Sequence, residues 1–398
     1  MNNNLLSDKW LKAAVIGGLW ASVEIVIGSF LHNLRIPFAG TILASQGILI
    51  LIAFNQVWKE SGIIFRAGII TALMKSISPS SVILGPMIGI FMEAALLELL
   101  LYIFRRGLIG SVLASAIALS SALLHKVFSI IILYGWDIVT IYKNIYAYFQ
   151  KIFNSNILNA TEFILLAFFI YLLFGALSGI LGVIIGNKVK SLPPELIPKK
   201  IEFNNEELFP LGSKQKFNLF LLSLNIILIP IGLVLINKDI LYYGLPFLIL
   251  FTIYTYWRYT AIFRRLKKPI FWGQLIIIIL LSGLFYSSDN NPNQTFKLDG
   301  FYFGIEMSFR ALFIVIAFTA ISIELRNPRI KTFLYTHHLG ALHGSLSLAF
   351  SSLPIIIKSL PPVKQFFKQP TTTLSLLIAN NIYWYTIFKN QVSEKKVD

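Results

Sequence analysis

The stretch FKLDGFYFGIEMSFRALFIVIAFTAISIELRNP, residues 296–328, decides the fold class. It predicts one apolar helix long enough to cross a bilayer, entered through Asp299-Gly300 and stopped by Asn327-Pro328. Glu306 and Arg310 lie inside it, one helical turn apart and so on one face. A charge at membrane depth costs at least ~2.5–3.5 kcal/mol on insertion scales, so it faces protein, water or a partner charge. Two readings of the pair are open: an ion pair that locks two helices, or part of a working scaffold.

Working outward, the same pattern recurs along the chain. Apolar spans of the needed length fall near 12–31, 36–57, 62–77, 83–104, 108–134 and 161–186, then near 217–236, 240–261, 269–286 and 301–323. Spans three and nine are short. A mixed segment covers 332–368 and a last span 371–388. Charged residues make up 13% of the 398, against about 25% in soluble domains, and mean hydropathy is +0.73. The expected fold is therefore all-α and polytopic, with two helical bundles of about six and four to six transmembrane helices. The start MNNNLLSDKWLKAAV has no small-residue cleavage site after its apolar run. It is expected to be a first transmembrane helix, not a removed signal peptide.

The net charge of +16 sits in short loops between spans. With the N-terminus in the cytoplasm, Lys59, Arg105-Arg106, the lysines between 188 and 216, Arg264-Arg265, Lys267-Lys268 and Arg326/Arg329/Lys331 all fall inside. Asp137, Asp239, Asp289 and Asp299 fall outside, with Lys143 and Lys151 as exceptions. That is the positive-inside pattern, and it leaves no basic–aromatic surface for nucleic acid. There is no cysteine and no G-x-x-x-x-G-K-[ST] loop, so the chain cannot cradle ATP by that route. No cofactor is expected.

The residues Leu298-Asp299-Gly300, Gly304, Arg310-Ala311-Leu312 and Glu324-Leu325-Arg326-Asn327-Pro328 resemble the transmembrane scaffold subunit of energy-coupling factor (ECF) transporters, bacterial micronutrient importers driven by ATP. The resemblance covers roughly Asp299 to Pro354, about a seventh of the chain. The first six spans are similar to the substrate-capture subunit (S-component) of those transporters in size, span count and orientation. So is the stretch FLHNLRIPFAGTILASQGI. The resemblance implies a fusion: a capture domain over 1–188, a cytoplasmic linker over 189–216, and a scaffold domain over 217–398 with a coupling segment at about 325–368. It implies a bacterial inner-membrane protein that imports a vitamin or related compound with cytoplasmic ATPase subunits as partners. Glu306, Arg310, Glu324, Arg326, Arg329 and Pro354 are its scaffold and coupling residues, with Leu353-Pro354 where scaffold subunits break a helix. Gly17 and Ala21, small residues of the first span, would pack against the second half; ordinary internal packing is the other reading. The Ala-Arg-Gly tripeptides that insert into the ATPases are missing, with Pro361-Pro362 and Lys364 in that region.

Five polar residues share a depth of roughly 10–15 Å below the outer surface: Glu24, Gln46, Glu93, His125 and Lys126. Either Glu93 and Lys126 neutralise each other and pin spans four and five, or at least two of the five line a substrate site. Trp136 is the tryptophan best placed as a lid; Trp20 and Trp58 read as interface anchors or packing. Glu98 reads as a helix contact. His337, His338 and His343 have no carboxylate near them in sequence and read as interfacial, so no metal site is expected. Two further functions stay open: a membrane enzyme acting on a lipid-linked substrate, and an ion-coupled carrier.

Overall fold

A computed structural model describes residues 7–33, 38–75, 84–153, 159–192, 219–259, 266, 269–285, 298–324, 340–361, 365 and 368–394. The described residues are 93% helical with no strand. In chain order the helices are α1 (Asp8–Asn33), α2 (Ala39–Val57), α3 (Ile63–Lys75), α4 (Leu84–Ile103), α5 (Leu108–Tyr134), α6 (Asp137–Phe153) and α7 (Ala160–Lys190). Then follow α8 (Leu219–Lys238), α9 (Leu245–Arg258), α10 (Pro269–Phe285), α11 (Leu298–Glu324), α12 (Gly340–Ser359) and α13 (Pro370–Glu394). Eight of them are long and apolar enough to cross a membrane: α1, α2, α4, α5, α7, α8, α9 (with the π-helical turn Ile240–Gly244 before it) and α11. The protein is an all-α polytopic membrane protein.

Local chemistry fixes where several helices begin. Asn159 and Glu162 form a reciprocal capping box at the start of α7. The Glu98 carboxylate of α4 accepts from the free amides of Gly62 (2.8 Å) and Ile64 (3.0 Å) at the start of α3. Arg106, in the turn after α4, bonds both Glu98 and Asn55 of α2. Glu98 is thus the helix contact expected, and it ties three helices at one end of the bundle. This end, which carries Asp8, Trp58 and Arg106, is called the base below.

α1 is the axis of the larger core, and nearly all of its apolar stretch is buried. It packs on α2 and α3, and on α12 and α13 from the other end of the chain. The core around α1 therefore takes in residues 340–394 as well as 8–190, while α8, α9 and α11 close a second core around Phe251 and Phe313. Leu342, Leu346, Ala349, Leu353 and Ile356 form the apolar stripe that α12 turns toward this core. With that stripe engaged, α12 runs unbroken through Pro354, where the sequence suggested a helix break. Gly17 does not meet the second half of the chain; it faces Ile70 and Ala67 of α3. Its neighbour Gly18 is the one that meets Ala349, Ser352 and Ile356 of α12. Ala21 is buried in the same core.

α13 is not the last span that its apolar run suggested. Thr372, near its start, accepts a hydrogen bond from Lys188 at the end of α7 (2.8 Å). Tyr385, thirteen residues on and so ~20 Å along the helix, bonds Asp8 at the start of α1. Both contacts are at the base, so α13 lies across it. Lys12 completes that junction, paired with Asp8 (2.5 Å) and Glu60 and placed over the rings of Trp58 and Tyr385.

α6 occupies what the sequence showed only as an outer loop. Its Tyr148 ring meets Phe285 and Asn144 donates to the Phe285 carbonyl, so α6 brackets the first bundle to α10. A second bracket is Arg310. It lies 3.7 Å from Glu306 on its own helix, donates to Asn237 of α8, and seats its guanidinium against Gly135 in the α5–α6 turn. Gly135 has φ +82°, and a β-carbon there would occupy the guanidinium's place. Gly135→Ala is expected to destabilise the protein by about 1–3 kcal/mol in detergent unfolding; an unchanged midpoint would mean that Arg310 does not seat there.

The glycines of the 298–312 motif have a packing role. Gly300 and Gly304 let α11 approach α10 so closely that β-carbons would stand 2.6 Å from the Ser282 carbonyl and 2.8 Å from Ile279 Cα. Glu324, last residue of α11, faces inward. It accepts from Tyr259 (2.8 Å), which in turn accepts from Asn225 (3.1 Å), and Arg258 is 3.7 Å away. This ties α8, α9 and α11 together and withdraws Glu324 from any outer coupling surface. Arg326, Arg329, His337 and His338, the linker from 193 to 216, and the side chains of His343 and Pro354 lie outside the described residues.

Candidate functional site

A polar stripe on α1 positions the site. Trp20, Glu24 and Gly28 repeat at four-residue spacing and so share a face. Counting from Asp8, Glu24 is ~24 Å up α1. α3 starts at the base but has only 13 residues, so it ends ~20 Å up, and its last residue, Lys75, arrives at Glu24. Lys75 Nζ donates to the Glu24 carboxylate (3.2 Å) and to the Glu24 main-chain carbonyl (3.0 Å), with Gly28 giving room beside it. Both side chains are about 8% exposed.

One turn nearer the base, three helices converge. α2 presents Gly47, and a β-carbon there would stand 2.7 Å from Trp20 Nε1 of α1 and 2.9 Å from Glu93 Oε1 of α4. Trp20 is fully buried and Glu93 is 7% exposed, yet neither of those atoms has a hydrogen-bond partner. Gln46, on the same turn of α2, also holds its Oε1 buried and unpartnered. Buried polar atoms are almost always satisfied, so the two that meet at Gly47, Trp20 Nε1 and Glu93 Oε1, single this level out as the candidate site. Glu24 is within electrostatic reach of Glu93.

Of the five residues expected at one depth, Glu24 and Glu93 lie within electrostatic reach of each other, and Gln46 is the α2 neighbour of Gly47. His125 approaches this level from α5, its ring against Gly89, one turn of α4 from Glu93. Lys126 is exposed and lies over the Phe38 ring at 5.7 Å, so it does not neutralise Glu93. Trp136 is 72% exposed on the α5–α6 turn and covers nothing at this site. Two members were missed. Trp20 reads as packing until Gly47 shows which way its N–H has no partner, and Lys75, inside the short third span, is not singled out until the length of α3 sets its depth. Among the described residues no group of three or more metal-ligating side chains occurs.

No protein-family model, curated protein or solved structure matches this chain.

Proposed function

We propose that this chain is the membrane part of an ECF-type importer that captures a small polar solute at the Trp20–Gly47–Glu93 site and draws on an ATPase carried by separate subunits. The observation that carries the reading is that α1 serves two contacts at once. Trp20 and Glu24 line the site, while Gly18, on the adjoining face, takes the close contact with α12, and the start of α1 is clamped by α13. A displacement at the base has a short route to the solute, as a fused capture and scaffold chain requires. The basic residues Lys59, Arg106 and Lys188 at the base favour the bacterial cytoplasmic side for that end. The site then stands nearer the outer face.

The test is purification in mild detergent with mass spectrometry of the co-purifying proteins. A stoichiometric nucleotide-binding subunit is the expected result, and charge reversal at Arg326 and Arg329 then maps its contact. A clean monomer or self-dimer in several detergents overturns the ATP-driven reading. Uptake that collapses with the ion gradient but ignores ATP would make the same site that of a carrier, and turnover of a lipid-linked compound by the pure chain would make it that of an enzyme.

A further inference from the structure

We infer that Glu93 is a proton-binding site: its carboxyl holds a proton in this conformation and gives it up to water when α1, α2 and α4 part. A proton needs no cavity, and the site stands whether or not ATP drives the chain. Glu93 is 7% exposed, and its Oε1 has no hydrogen-bond partner. Among the described residues no ion pair reaches it. The helices around it explain why. α1 offers Glu24, a negative neighbour within electrostatic reach. α2 has no ionisable side chain along its whole length. α3 ends in Lys75, which gives both of its described bonds to Glu24, and its Arg66 is bonded to the Gly62 carbonyl at the base. α5 brings His125, its ring against Gly89, and Lys126, which lies over Phe38. α11 also touches α4, and there Glu306 and Arg310 face each other at 3.7 Å. On α4 itself, Glu98 is bonded to Arg106.

The protonation state follows from magnitudes. An ordinary glutamate loses its proton near pH 4.3, so to stay neutral at pH 7 the site must disfavour the charge by a factor of about 500. Burying an uncompensated carboxylate disfavours it by more than that, and the group neutralises instead. The Glu24 carboxylate, kept charged by Lys75, adds to the effect. Release breaks the carboxyl O–H bond, passes the proton to water and leaves the carboxylate behind. Water reaches Glu93 only where Trp20, Gly47 and Glu93 now meet, so release is tied to the parting of these three helices.

The sign is open to test. Above about pH 4.3 the unfolded chain has lost this proton and the folded chain keeps it, so rising pH favours unfolding until Glu93 ionises in the folded protein too. The full chain in detergent is unfolded at equilibrium from about pH 5 to about pH 7, beside Glu93→Gln. The ratio of the two unfolding constants, wild type over variant, is expected to rise roughly tenfold per pH unit. A flat or falling ratio overturns the site. Infrared spectra at neutral pH are expected to show a protonated-carboxyl band that Glu93→Gln removes and the double variant Glu24→Gln with Lys75→Met keeps. No such band, or one that survives Glu93→Gln, overturns the assignment. So does a Glu93→Gln chain that cannot be recovered folded, because glutamine matches the neutral carboxyl closely in shape.

Discussion

Lys75→Met is expected to destabilise the protein by about 3–5 kcal/mol, and adding Glu24→Gln is expected to restore most of that loss. The single change leaves the Glu24 carboxylate buried with no cation, after Lys75 has given up both its bonds to residue 24. The double change removes both charges, and a neutral pair of similar volume in the same place is close to break-even. Equilibrium unfolding in mixed micelles measures both. If the double variant is as unstable as Lys75→Met alone, the pair does not carry the effect and the packing of α3 against Gly28 does.

The second large effect is expected on α7. Gly175 and Gly179 bring this helix against α5, where β-carbons would stand 2.6 Å from the Ser115 carbonyl and 2.7 Å from the Ser115 hydroxyl. Gly182 and Gly186 then bring it against α2, 2.8 Å from Ile52 and 2.5 Å from the Ala53 carbonyl. Most of these obstacles are backbone or the root of a side chain, which cannot swing away. Between helices in lipid, close packing carries much of the association that the hydrophobic effect supplies in water. Gly186→Leu is expected to cost about 1–3 kcal/mol, and Gly179→Leu with Gly186→Leu to prevent recovery of folded protein, because each opens a different seam. Gly273→Ala is the control: nothing lies within 4 Å of that position, and the change is expected to be neutral or to stabilise α10 by up to ~1 kcal/mol. A Gly186→Leu protein with an unchanged midpoint would show that α2 and α7 are not seated as described.

Most of the spanning helices were legible because a run of about 20 apolar residues has one stable solution in a bilayer, with every backbone group bonded inside its own helix. α13 and α6 were misread for the same reason. Each has an apolar face, and neither the depth nor the tilt of such a helix is written in its own residues; the bonds of Thr372 and Tyr385 decide it for α13. At the site, the ionisable residues Glu24 and Glu93 stood out because charge is rare at that depth. Their partners did not. Lys75 reaches Glu24 only because α3 is short, and Lys126, next to His125 in sequence, points to another face of α5. The resemblance implied that Gly17 and Ala21 pack against the second half of the chain, with internal packing as the other reading; Gly17 is set against α3, and the contact with α12 falls to Gly18, a turn of 100° away with a different neighbour.

The enclosure of α1 by the last two helices has a consequence for the order of synthesis. Asp8 and Tyr385 are separated by 377 residues. At about 5–20 residues per second the ribosome needs on the order of 20–75 s to deliver the second after the first. Through that interval the Gly18 face of α1 meets lipid or an insertion factor, and the clamp at its start is absent. The first bundle thus inserts early and matures late, and a chain interrupted before α12 would hold Trp20 and Glu24 on an axis that nothing yet fastens.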